Sequence, residues 1–196
     1  MPHYYSKEND QTKSAEKLIF IKIKDRSFRF ITDHGVFSKQ GLDFGSRLLI
    51  ESVLDISAKK MLDLGCGYGP IGITYKSFNK DSNVDMVDVN ERALILTKKN
   101  SDQNQVQTNI FSSDGFSQIK DKYDLILTNP PIRAGKAVVY RFFTDSYLHL
   151  EANGQFIFVI NKKHGAASAL KKCKEIFAQV ETINKKSGYY VIKCRK

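Results

Sequence analysis

Asn129, Pro130 and Pro131 close a strongly apolar run, YDLILT, and residues of these types in this order suit amine chemistry. An exocyclic amine on a carbonyl-like or aromatic system is a poor nucleophile because its lone pair is delocalised. Two acceptors that hold both N–H groups turn that lone pair toward an electrophile. An asparagine side-chain oxygen and a proline carbonyl are two such acceptors. Proline fixes φ, brings no competing N–H and restrains the residue before it. The chemistry is orientation with preorganised electrostatics rather than strong base catalysis. Taken alone, the same letters also describe an ordinary Asn-Pro turn.

A second constellation lies upstream. LDLGCGYGPIG, positions 62–72, follows an apolar run and opens a helical pattern. Gly65, Gly67 and Gly69 admit positive φ and close approach of a ligand to the backbone. Gly67 to Gly72 match G-x-G-x-x-G, and Asp88 follows Gly67 by 21 residues at the end of the next apolar run. That is the spacing of a carboxylate that accepts both hydroxyls of a ribose. Asp63 precedes the first glycine by two residues. A carboxylate there suits a cationic ligand better than a pyrophosphate. S-adenosylmethionine carries an ammonium, a sulfonium and a ribose, and no phosphate. In SSDG, Asp114 beside Gly115 is placed to accept from an adenine amino group, or simply to cap a turn. Asn90 follows Asp88 in the same rim loop. Cys66, inside the glycine loop, faces the cofactor and reads as packing rather than as a nucleophile.

The elements that position these residues are legible from periodicity. Residues 1–17 read as a flexible polar tail. A β-hairpin is expected at 18–23 and 27–32, the stretch GVFSKQGLDFGS as loop, and RLLIESVLDI as helix. From residue 59 short apolar runs alternate with helical segments and end in a hairpin turned at Ser187 and Gly188. The pattern predicts an α/β, Rossmann-like, mostly parallel sheet with helices on both faces and a closing antiparallel strand. All 196 residues form one expected domain, with hairpin and helix at 18–58 and the core at 59–196. Ligands of such sheets bind beyond the carboxyl ends of the strands. The loops at 64–70, 88–90, 113–116, 129–136, 161–164 and 185–188 are therefore expected on one rim.

Charge points to a polyanion. The net charge is +10, and residues 162–196 hold ten Lys or Arg against two acids. Arg133, Lys136, Lys162, Lys163, Lys185 and Lys186 fall on or near the rim, where an RNA backbone would meet them. A solvated basic surface gives the same composition. Lys22, Lys24, Arg26 and Arg29 of the hairpin read either as an RNA-facing arm or as charges that keep an edge soluble. Three scattered cysteines and the lack of a signal-peptide core or a membrane-length apolar run indicate a cytoplasmic chain with no membrane partner. The four histidines have no ligand spacing, so no metal is expected.

These motifs together resemble the class I S-adenosylmethionine-dependent methyltransferases of the N-P-P type. With GVFSKQGLDFGSRLL and NPPIRAGK, the chain resembles the small-subunit ribosomal RNA guanine-N2 methyltransferase family from about residue 26 onward. The resemblance implies a seven-stranded sheet with its last strand antiparallel. It implies that Asp63, Gly65, Gly67 and Gly69 line the methionine and ribose side of the cofactor, that Asp88 binds the ribose and Asp114 the adenine, and that Asn129 and Pro130 hold the target amine. Many N-P-P enzymes place Tyr or Phe after the prolines. Here Ile132 stands there, and Phe37 or Phe116 is the expected stacking residue. Members of the family can carry an additional N-terminal domain of similar size, which these residues do not include. The expected partner is RNA, small-subunit ribosomal RNA or its particle. The rivals are an N-P-P enzyme acting on protein glutamine or on adenine, and a dinucleotide-dependent enzyme or nucleotide-binding module.

Overall fold

The computed structural model describes residues 14–38 and 41–196. The expected tail residues 1–13 lie outside them. Ser14 and Ala15, read as part of that tail, instead donate to the Asp33 carboxylate at 2.8 and 2.6 Å. Strands β1 (Lys17–Ile23) and β2 (Arg26–Thr32) form the expected hairpin, then α1 (Phe44–Val53) follows. The core runs β3 (Lys60–Leu64), α2 (Pro70–Phe78), β4 (Asn83–Asp88), α3 (Glu91–Gln103), β5 (Asn109–Ser112), β6 (Tyr123–Thr128), α4 (Lys136–Leu148), β7 (Leu150–Asn161), α5 (Ala166–Ile176), β8 (Gln179–Lys186) and β9 (Tyr189–Arg195).

Seven strands form one sheet in the order β5-β4-β3-β6-β7-β9-β8. Only β9 runs antiparallel, paired to β7 and β8. Alternation along the strands decides which layer each side chain joins. Met61, Leu125, Leu127, Ile157, Val159 and Val191 face a core shared with α1, α2, α3 and the hairpin's Ile19, Ile21, Phe28 and Phe30. Leu62, Leu64, Ile126, Phe156, Phe158 and Ile192 face α4 and α5. The hairpin is thus an outer layer over the first face. Its Phe30 ring meets Tyr68 edge-on at 5.9 Å.

Two of the hairpin cations, read either as an RNA-facing arm or as charges on a soluble edge, are taken up by the fold. Lys24 pairs with Asp55 at 2.9 Å. Arg26 donates to the Ser77 hydroxyl at 3.0 Å and lies 4.3 Å over the Phe78 ring. Lys22 and Arg29 remain on the exposed outer face. Helix α1 also starts earlier than its apolar spacing indicated. Asp43 caps it, accepting from the Ser46 N–H at 3.0 Å, so Phe44, Gly45 and Ser46 are helical rather than loop. An N-cap carboxylate satisfies a free helical N–H and outweighs the glycine at the second position. No helix among the described residues is long and apolar enough to cross a membrane.

Candidate functional site

The order of the strands puts the switch point between β3 and β6: the chain winds outward one way through β4 and β5 and the other way through β6 and β7. A crevice forms where the crossovers diverge. The Thr128 hydroxyl donates to the Leu64 carbonyl at 2.7 Å, locking the end of β6 against the end of β3. Asn129 and Gly65 therefore flank one opening.

The glycine loop is held from beneath. Gly65 and Cys66 N–H both donate to the Val87 carbonyl at 2.9 Å. Asp88 accepts from Gly67 N–H at 2.8 Å and Asn90 N–H at 2.9 Å. The Thr97 hydroxyl donates to the Gly67 carbonyl at 2.7 Å. Gly67 has φ +59°, and a Cβ there would meet nothing within 4 Å, so the loop's bare backbone faces the opening. Gly69, at φ +93°, is tight instead: a Cβ would lie 2.8 Å from Ile73 Cδ1 and 3.0 Å from Thr97 Cγ2. Gly69→Ala is expected to lower stability by about 1–3 kcal/mol through left-handed strain, measurable by urea unfolding; an unchanged midpoint would contradict it.

Two acids lie under this loop. Asp63 is fully buried and accepts from Gly72 N–H at 2.8 Å through Oδ2, while Oδ1 has no partner among the described residues. Burial, with a smaller contribution from the Asp88 charge, pushes its carboxyl up to about 7 against the pull of Gly72 N–H. Burial raises Asp88 as well, opposed by the N–H groups of Asn90, Gly67 and Val89. Burial and the Asp88 and Asp63 charges hold the Cys66 thiol well above its ordinary value. It stays protonated, in keeping with a packing role. Two buried acids, with no ion pair among the described residues, make this floor hospitable to positive charge.

Asn129 is oriented by α1. Its Nδ2 donates to the Ser46 hydroxyl at 2.9 Å and to Asp43 Oδ1 at 3.4 Å. An ionised carboxylate only accepts, so the amide nitrogen must face Asp43 and the amide oxygen must face away. No described residue donates to Oδ1. Pro130 and Pro131 are buried and line the cavity beside it. The Pro130 carbonyl accepts from Ile132 N–H at 2.8 Å, which leaves one lone pair for a ligand.

Of the residues assigned to the cofactor, Gly65, Cys66, Gly67, Asp88, Asn90 and Asn129 line the cavity. Asp63, beneath the loop, and Gly69, within it, do not line the cavity. Asp114 and Gly115 also fall outside the lining, and Asp114 pairs with Arg141 at 2.7 Å. Asn90 uses its side chain to cap α3 and to donate to the Gly35 carbonyl. Of the residues assigned to substrate, Phe37, Ile132 and Arg133 line the cavity. Lys136, Lys162, Lys163, Lys185 and Lys186 are exposed and do not line it. Lys136 lies 5.1 Å over Tyr140, and Lys185 4.8 Å over Tyr190. Phe116 is buried and stacks on His149 at 4.5 Å, away from the cavity, so Phe37 is the aromatic of that pair found there.

The cavity also contains residues with no role assigned from sequence: Asp43, Ser46, Tyr68, Asn161, His164 and Tyr189. Asp43 and Ser46 carry a readable N-cap signal. Tyr189 follows the 185–188 rim loop directly, and Asn161 and His164 bound the 161–164 one. Burial and the Asp43 charge hold the Tyr68 phenol above its ordinary value, and its hydroxyl has no partner among the described residues.

A family model, the methyltransferase small domain, matches residues 27–193. The chain is 46% identical over 99% of its length to the uncharacterized protein YbxB of Bacillus subtilis, covering 98% of that protein. It is 33% identical over 89% of its length to the ribosomal RNA small subunit methyltransferase C of Psychromonas ingrahamii, covering 50% of it. A T. thermophilus 16S rRNA N2 methyltransferase, RsmC, solved with AdoMet and guanosine, superposes with a TM-score of 0.84 at 24% identity, over 94% of this chain and 51% of that one. The chain thus spans about half the length of these ribosomal RNA methyltransferases.

Proposed function

The chain belongs to the methyltransferase small-domain family, and on that premise we propose that it methylates an exocyclic amine, guanine N2 of small-subunit ribosomal RNA, using S-adenosylmethionine. The residues present fit that cofactor. Asp88 lines the cavity as a buried acceptor for ribose hydroxyls. The unpartnered Oδ1 of Asp63 leaves an acceptor beneath the loop whose ionised form a bound cation would favour. Asp63, beneath the loop, would meet a pyrophosphate unfavourably, and with the family this weighs against the dinucleotide reading. Bound S-adenosylmethionine supplies a methyl group on an electrophilic sulfonium.

The observation that carries the reading is the clamp on Asn129. Asp43 and Ser46 take the amide N–H groups, so Oδ1 is the atom presented to a donor. It accepts one N–H of the target amine, and the remaining lone pair of the Pro130 carbonyl accepts the other. The nitrogen lone pair is then turned out of conjugation and toward the cofactor side of the cavity. Because the clamp exists before substrate arrives, little reorganisation remains for the transition state.

RNA as partner is supported by the relatives and by the rim. No ion pair among the described residues involves Arg133, Lys136, Lys162, Lys163, Lys185 or Lys186, so these cations are available to phosphates. Replacing Arg133, Lys162 and Lys163 together by alanine is expected to weaken RNA binding and flatten its salt dependence. Each lost phosphate contact should reduce the slope of log K against log salt by about 0.7 on single strands. A variant with the parental slope would remove these residues from the interface. The cytoplasm is the proposed site of action, and the three cysteines, all buried and unpaired, suit its reducing conditions.

The test is methyl transfer from labelled S-adenosylmethionine to ribosomal RNA and to small-subunit particles, followed by mass analysis of the digested nucleosides. N2-methylguanosine is the expected product. Methyladenosine, or label in protein glutamine, would replace the substrate assignment with a rival.

A further inference from the structure

A base drawn out of its stack needs a surface to replace its neighbours. The residue after the prolines is Ile132, which offers no ring. Tyr189 is placed to do so. Strand β9 is antiparallel, so its first residue rather than its last reaches the rim, in register with Asn161 at the end of β7. The Tyr189 ring lies against Gly45, where a Cβ would be only 3.0 Å from its Cε1, and 5.5 Å from the Phe44 ring. The next residue, Ser46, receives the Asn129 amide. Three consecutive residues of α1 therefore set both the ring and the amine acceptor. Tyr189 is half-buried and lines the cavity together with Asn129 and Ile132.

We propose that Tyr189 forms the platform of a purine subsite, on which the target base lies with its C2 amine at Asn129. The proposal rests on the amine-methylating reading and names the surface that holds the base plane. Tyr189 acts through its ring, so phenylalanine should replace it and an aliphatic residue should not.

A short oligoribonucleotide carrying one 2-aminopurine tests this. That base keeps the C2 amine, and its emission is quenched when it stacks. The chain contains no tryptophan to interfere. Titrations are made with protein saturated with S-adenosylhomocysteine. The parent and Tyr189→Phe are expected to quench, while Tyr189→Leu should bind about 5- to 150-fold more weakly, the range for one lost base–aromatic stack. Calorimetry should give the same S-adenosylmethionine affinity for all three. Tyr189→Leu quenching like the parent overturns the proposal, as does its loss of cofactor binding, which would move Tyr189 to the cofactor side. Tyr189-dependent quenching in a protein that methylates no RNA would overturn the substrate assignment and leave the subsite standing. Guanine methylation with quenching indifferent to Tyr189 would do the reverse.

Discussion

Asn129→Ala is expected to bind S-adenosylmethionine like the parent and to slow methyl transfer by about 10²- to 10³-fold, the range seen when one preorganised polar contact to a transition state is removed. The loss should appear in the single-turnover rate at saturating RNA. Asn129 Oδ1 matters most when the amine is rotated out of conjugation, less when it merely binds. Asn129→Asp is a sharper case. It keeps an acceptor, but its carboxylate would face Asp43 Oδ1, which now accepts from the amide at 3.4 Å, so the side chain must turn away. It should be as slow as alanine. Ser46→Ala removes the 2.9 Å anchor and leaves Asp43, so an intermediate rate is expected. If Asn129→Ala turns over at the parental rate, the amine is held elsewhere and the mechanism fails.

Stability should fall as pH rises through the range set by Asp63. Its carboxyl is pushed up to about 7 in the folded chain, from an ordinary value of 3.8. Between those values the folded chain keeps a proton that the unfolded chain has released, so the unfolding free energy decreases with pH. Below the lower value both states are protonated and nothing is lost. Above about 7 the full effect is present, about 4 kcal/mol. Asp88, also raised by burial, acts in the same direction. Asp63→Asn keeps an oxygen for Gly72 N–H and cannot ionise. Urea unfolding from pH 4 to 8 should therefore show a markedly smaller fall than in the parent. A cationic ligand reverses the sign, because it favours the ionised carboxyl. Affinity for S-adenosylmethionine should rise by up to about tenfold per pH unit below pH 7 and level off above it. Asp63→Asn should lose that rise. Parallel curves for parent and variant would mean that Asp63 does not sense the ligand's charge.

The parts of the site readable in advance are those carried by consecutive residues. A strand–glycine loop–helix followed by Asp88 at the next strand end needs only local periodicity and one spacing. The hairpin was legible for the same reason, since its alternation is complete within 18–32. The cap of α1 was written locally too, in Asp43 and Ser46, but the glycines at 41 and 45 masked it. Asp63 illustrates a different limit: its distance from the first glycine was visible, but not that its side chain points behind the loop, where it accepts from Gly72 N–H. Phe116 was one of two candidate stacking rings, and burial against His149 removed it.

The sequence by itself determined the sheet's class, the rim on which its loops gather, and the residue types proposed to bind ribose and hold an amine, because each follows from period, turn chemistry or short spacing. Only the tertiary structure decided which face of Asn129 is offered, because that depends on Asp43 and Ser46, more than eighty residues away. It also decided that Tyr189, next to a rim turn already legible in the sequence, lines the cavity with its ring packed on Gly45 and Phe44 of α1. Contacts of that sequence separation are set by how the layers pack, and no local pattern encodes them.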